Sequence, residues 1–134
     1  MSDLVIAYVA HPLGAGADRA ENRKRAAAWV GWLSERFLVA PVCTWITLAE
    51  VWPETETKRD LGLDIDRSLI ESVGLVILSG PRISDGMRAE AGWGRRVVDL
   101  TGPCCVLPER LLPGEIDALD ARMAEAGILR RRDA

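Results

Sequence analysis

The stretch Asp85-Gly86-Met87-Arg88-Ala89-Glu90-Ala91-Gly92 sets a carboxylate inside a short polar run, directly after an apolar one, Gly74-Leu75-Val76-Ile77-Leu78-Ser79-Gly80. The apolar run reads as a parallel strand buried on both faces, and the polar run as a loop leading into a helix. Ligands of open α/β sheets bind at the carboxyl ends of strands, so a carboxylate at Glu90 is well placed for chemistry. The alternative reading is a solvated helix residue favoured by the helix dipole. His11 is the only histidine, which gives a serine- or cysteine-type catalytic triad little support. It has no evident metal partner, and a loop histidine bonded to backbone is its structural alternative. Gly14-Ala15-Gly16 precedes a helix but lacks the lysine spacing of a triphosphate-binding loop.

These residues need a scaffold. With 134 residues the chain has room for one domain, spanning 1–134. An apolar content of 49% and a mean hydropathy of +0.06 predict a folded chain. A net charge of −3 and a pI near 5.2 give no general attraction to nucleic acid. Cys43, Cys104 and Cys105 form neither a disulfide framework nor a metal-ligand spacing; the adjacent pair reads as small apolar residues buried near a strand end. No segment has the pattern of a signal peptide, and none approaches the ~20 apolar residues of a membrane span. A reducing cytoplasm is the expected compartment.

Strands and helices alternate along the chain. Asp3 to Ala10 reads as the first strand, followed by a Gly/Pro-punctuated loop through Ala17. Asp18 to Phe37 reads as a helix with Ala20, Ala27, Val30, Leu33 and Phe37 as its apolar stripe. Leu38 to Cys43 is a second strand, and Pro41 favours an edge position for it. Thr44 to Gly62 is the least regular segment, and a loop of that length is often functional. Asp64 to Ser72 reads as a helix, Gly74 to Leu78 as the central strand, Asp85 to Arg95 as a helix and Arg96 to Leu100 as a strand. Cys104 to Leu107 reads as a short edge strand. Pro113-Gly114 opens a last amphipathic helix through Met123, ahead of a basic tail, Arg130-Arg131-Arg132. The alternation predicts an α/β three-layer sandwich around a mainly parallel, roughly five-stranded sheet of the Rossmann or flavodoxin-like kind.

Three motifs in this order resemble the nucleoside 2-deoxyribosyltransferase-like superfamily, including its nucleoside 5'-monophosphate N-glycosidases. The first strand ends Tyr8-Val9-Ala10-His11-Pro12-Leu13, similar to the family's tyrosine-led start, with His11-Pro12 where Gly-Pro or Gly-Ser is usual. Asp66-Arg67-Ser68-Leu69-Ile70 resembles the acidic helix before the central strand. Ser84-Asp85-Gly86-Met87-Arg88-Ala89-Glu90-Ala91-Gly92 resembles the Ser/Asp-x-Gly-x-x-x-Glu-x-Gly signature. The resemblance implies that Glu90 attacks the anomeric carbon and expels the base through an oxocarbenium-like transition state. It implies that Asp66 positions the sugar or supplies a proton to the base, and that the Tyr8 hydroxyl contacts Glu90. Two neighbouring carboxylates raise one pKa, as acid–base work requires.

By the same resemblance, Ser84 marks the nucleotide hydrolases, where a hydroxyl holds the 5'-phosphate; an aspartate there would repel it. Helix-start N–H groups would assist, with Arg82 and Arg88 as nearby cations. The alternative for Ser84 is a helix N-cap. Gly86 would let the backbone approach the sugar, and His11 and Met87 complete the expected substrate contacts. Trp45 would stack on the base, or else serve core or dimer packing. The expected activity is cleavage or base transfer at the N-glycosidic bond of a nucleotide or nucleoside, without cofactor or metal. A homodimer or higher homo-oligomer is expected, with no membrane or nucleic-acid partner. A nucleotide-binding relative without catalysis, or an interaction protein using exposed tryptophans, are the other classes.

Overall fold

Val5–Ala10, six residues without a charge, form β1, the strand about which the sheet is built. The computed structural model describes residues 3–14 and 16–132, so Ala15 of the expected Gly-rich loop lies outside the described residues. After β1 come α1 (Ala17–Arg36), β2 (Val39–Val42), α2 (Thr44–Val51), α3 (Glu56–Val73), β3 (Leu75–Leu78), α4 (Asp85–Trp93), β4 (Arg96–Asp99), a 3-10 turn (Pro108–Arg110) and α5 (Pro113–Glu125). Among the described residues there are four strands, all parallel, in the order β2-β1-β3-β4. β3 is an inner strand, and β2, with Pro41, lies at an edge as its missing N–H predicts.

Alternate residues of each inner strand face opposite layers. Ala7 and Val9 of β1, with Leu75 and Ile77 of β3, pack on one side against Trp29 and Leu33 of α1 and Leu119 and Met123 of α5. Tyr8, Ala10, Val76 and Leu78 face the other side, where Ile70 of α3 and Met87 of α4 cover them. Both faces are thus layered with helices, which explains the uninterrupted apolar run of β3. The chain winds from β1 outward to β2, then from β3 outward to β4. The winding reverses between β1 and β3, and their carboxyl ends form the switch-point crevice of a doubly wound sheet.

Four expectations are corrected. The segment Thr44 to Gly62 is not a loop: it holds α2 and the first turns of α3, joined by a tight connection. Thr55 caps α3, its hydroxyl accepting the Lys58 N–H at 3.2 Å. Cys104 to Leu107 is no strand; it lies between Pro103 and Pro108 and opens with a turn in which the Cys105 N–H bonds Gly102 O at 2.9 Å, so the sheet has four strands rather than five. Cys105 is buried but Cys104 is exposed. In α1 the buried residues are Ala26, Trp29 and Leu33, whereas Ala20 and Ala27 are exposed.

The basic tail is also tied down. Ile128 is buried in the core, the Leu38 N–H bonds Leu129 O, and the Arg131 N–H bonds Arg36 O at 2.8 Å. Phe37 and Arg130 form an antiparallel bridge. Arg36 makes two 2.7 Å bonds to the Asp120 carboxylate of α5. Residues 128–131 therefore strap the end of α5 to the α1–β2 junction.

Candidate functional site

Three elements each contribute one polar side chain to the crevice side of the sheet. Tyr8 comes from β1, on the face covered by α3 and α4, and is fully buried. Asp66 lies one turn before Ile70 on the inner face of α3, a position an apolar residue would ordinarily fill, and is 8% exposed. Glu90 follows the buried Met87 by three residues on α4, which turns it inward, half-buried. The Tyr8 hydroxyl donates a short hydrogen bond to Glu90 Oε2, while the buried Asp66 Oδ1 has no hydrogen-bond partner among the described residues. Of the three residues that the resemblance singles out for catalysis, Tyr8 and Glu90 are hydrogen-bonded and Asp66 is near enough for its charge to act on both.

Electrostatics follow from burial. Loss of solvent pushes the Asp66 carboxyl up to about 6, with the Tyr8 hydrogen bond pulling it back. Burial likewise pushes Glu90 up to about 7, against the Tyr8 bond and with added repulsion from Asp66. Burial, then the two neighbouring carboxylates, raise the Tyr8 phenol far above its ordinary value, so it stays protonated and donates. One phenol proton can serve one acceptor at a time. Between these two carboxyl values the carboxylate pair carries a single proton.

Asp66 also lines a cavity of about 150 Å³. Trp45, Leu48 and Trp52 of the α2 region and Leu63 of α3 form apolar walls; Arg19, Glu54, Lys58 and Arg59 supply charge. Trp45 is anchored by an Nε1–H bond to Val9 O at 2.9 Å, and Lys58 Nζ lies 5.0 Å from the Trp52 ring centre. The Gly16 N–H bonds Glu54 Oε2 at 3.3 Å, linking the β1–α1 loop to the α2–α3 connection. Glu90, Ser84 and Gly86 do not line this cavity; Glu90 approaches the same carboxyl, Asp66, through Tyr8.

The remaining expected contacts divide. Ser84 is the N-cap of α4, its Oγ accepting the Met87 N–H at 3.3 Å, while its hydroxyl proton and the N–H groups of Asp85 and Gly86 have no partner within the helix. A Cβ at Gly86 would meet only Ser84 Oγ, at 4.0 Å, so the backbone there is open to a ligand. Arg88 is exposed. Met87 is corrected: it is 1% exposed, packs in the core, and accepts the Ser84 N–H through sulfur at 3.4 Å, so it is not a substrate contact. His11 is buried, with Nδ1 2.7 Å from Pro12 O and Nε2 without a hydrogen-bond partner among the described residues.

Sequence reasoning gave Arg19, Lys58 and Arg59 no part in a cavity, and it missed Lys58 and Arg59 because it placed no helix between Thr44 and Gly62. The signal was present in Thr55-Glu56-Thr57, a capping residue followed by an acidic first turn. In comparisons with known proteins, the chain matches no family model, no curated protein and no solved structure.

Proposed function

We propose that this chain cleaves, or transfers a base across, the N-glycosidic bond of a nucleoside 5'-monophosphate. The observation that carries the reading is the buried Tyr8–Asp66–Glu90 cluster at the crevice of a parallel sheet. Burying two acids around one phenol is costly for a fold and is found where chemistry needs shifted acids. In this mechanism the ionised Glu90 attacks the anomeric carbon as the bond to the base breaks. Asp66 gives its proton to the departing base and later takes one from the incoming water or base. Tyr8 holds the Glu90 carboxylate on line. The cavity walled by Trp45 and Trp52 offers flat apolar surfaces to the base, with Asp66 at hand. The 5'-phosphate sits at the start of α4, on the Ser84 hydroxyl and the Asp85 and Gly86 N–H groups.

The test is incubation with ribo- and deoxyribonucleoside 5'-monophosphates and the corresponding nucleosides, with chromatography of free base. Release from a monophosphate, faster than from its nucleoside, is expected. Ser84→Asp should reverse that order by repelling the phosphate. Nucleotide binding with no base released by the wild type would favour a binding protein that retains the pocket.

A further inference from the structure

The two edges of the sheet are finished differently. β2 is blunted: Pro41 has no N–H to offer, and the Leu38 N–H just before the strand is taken by Leu129 O of the strap. Among the described residues no strand lies beyond β4. Arg95, Arg96, Val97 and Asp99 are all exposed there, Val97 by 44%. The Arg96 N–H bonds Gly74 O and the Leu100 N–H bonds Leu78 O. Alternate residues of a parallel strand bond to the same neighbour, so Arg96, Val98 and Leu100 face β3. Val97 and Asp99 therefore turn their N–H and C=O groups to the open edge. Arg122 of α5 reaches that edge and donates to Asp99 O at 3.0 Å, but no strand takes the Val97 groups.

An open edge is a template for a further strand, and the side chains here select a second copy of this one. Val98 and Leu100 belong to the core on the α5 side. Val97 and Asp99 stand on the opposite face, where Arg95 reaches Glu71 O at the end of α3. A two-fold dimer of antiparallel edges is centred on one residue facing its own copy, so that each face continues across the axis. Centring on Val97 joins the two valines by reciprocal N–H to C=O bonds and covers both side chains. It also sets Arg95 of each chain opposite the partner's Asp99. Thr101 occupies only Oδ1 of that carboxylate, which leaves Oδ2 for the guanidinium. Centring on Arg96 would oppose two arginines, and centring on Val98 would set Val97 against an aspartate. On the other face a groove of about 340 Å³ lies between β4 and α5, with Arg122 and Glu125 on its helix side. Antiparallel copies of α5 meeting over the axis bring these charges towards their opposites. We infer that β4 is the interface of a symmetric homodimer centred on Val97, with one continuous sheet running through both chains. This interface is independent of the glycosidic chemistry.

Sedimentation equilibrium of the full chain reads the interface, with circular dichroism to establish that each variant is folded. Wild type should reach twice the 14.7 kDa single-chain mass in concentrated solution. Val97→Lys, at an exposed position, should keep the wild-type spectrum and weaken association about a hundredfold, because two ammonium groups then meet at the axis. Arg95→Asp alone and Asp99→Arg alone should each dissociate, since each opposes like charges in its own dimer. Mixed in equal amounts, these two variants should recover the double mass, because every pair across the axis is again opposite in sign. Wild type that stays single at all concentrations would overturn the interface. So would a Val97→Lys dimer as tight as wild type, which places association on another face, or a folded mixture of the two charge variants that stays single.

Discussion

Glu90 is held in a setting that costs the fold stability. Its ordinary pKa of 4.5 rises to about 7 on folding. Below about pH 4.5 both folded and unfolded chains carry the proton, and nothing is lost. As pH rises towards 7 the unfolded chain ionises first, and stability falls until the folded carboxyl ionises too. Glu90→Gln keeps an oxygen for the Tyr8 hydroxyl and removes this cost. It should raise stability at pH 8 by about 2 kcal/mol, a few degrees in melting temperature, and give no gain at pH 4. Thermal melts at the two pH values check the contrast. The same variant should lose base release while binding nucleotide nearly as before, because the charge acts on the transition state. Near-normal turnover in Glu90→Gln would refute the role given to this carboxylate. In the proposed mechanism the one-proton form of the Asp66–Glu90 pair is the active one, so kcat/KM should rise through about pH 6 and fall through about pH 7. A profile flat from pH 5 to 8, in roughly those units, would exclude the pair as acid and base.

At the scale of elements, α2, the start of α3 and their connection supply most of the cavity's lining. Trp52 is half-buried and forms a wall, with Lys58 over its ring. Trp52→Ala should raise KM about tenfold with little change in kcat, since stacking on a base contributes roughly 1–3 kcal/mol. Steady-state kinetics separate the two constants, and a fall in kcat alone would count against the wall. Trp45→Ala should also lower stability, because its Nε1–H bond to Val9 O ties α2 to the sheet. The order of the four strands and the major helices was legible in the sequence: short uncharged runs alternating with helical segments read as buried parallel strands, and Pro41 speaks for an edge, although the same reading of Cys104 to Leu107 gave a strand that is not there. α2 was not legible. Its eight residues, Thr44–Val51, include β-branched and aromatic types of middling helix propensity, and none is fully buried, so no stripe stands out. At the site, the Tyr8–Glu90 contact was legible through motif order, and it follows from two elements facing one layer, which Asp66 also faces. Met87 was misread because its position inside a motif says nothing of which way a helix turns it.

For the whole molecule, none of the five tryptophans is exposed. Trp29, Trp32 and Phe37 pack edge to face, Arg67 lies over Trp93, and Trp45 and Trp52 line the cavity. An interaction surface made of tryptophan therefore has no support in this arrangement. Among the described residues no helix is long and apolar enough to cross a membrane. Association of two or more chains remains an expectation of the resemblance. Sedimentation at high concentration should find a particle heavier than the 14.7 kDa single chain, and a single-chain mass throughout would remove it. One further feature concerns how the molecule is made. Ile128 fills the core beside α1, and Leu129 and Arg131 bond to the junction of α1 and β2, about ninety residues earlier in the chain. Synthesis runs from the amino end, so β1, α1 and β2 leave the ribosome long before the segment that closes their layer. The apolar face of α1 must wait uncovered, exposed to aggregation or to chaperones, until residues 128–131 emerge. Nascent chains stalled before residue 128 should thus remain sensitive to protease along α1, and resistance should appear in one step once the strap is free to dock.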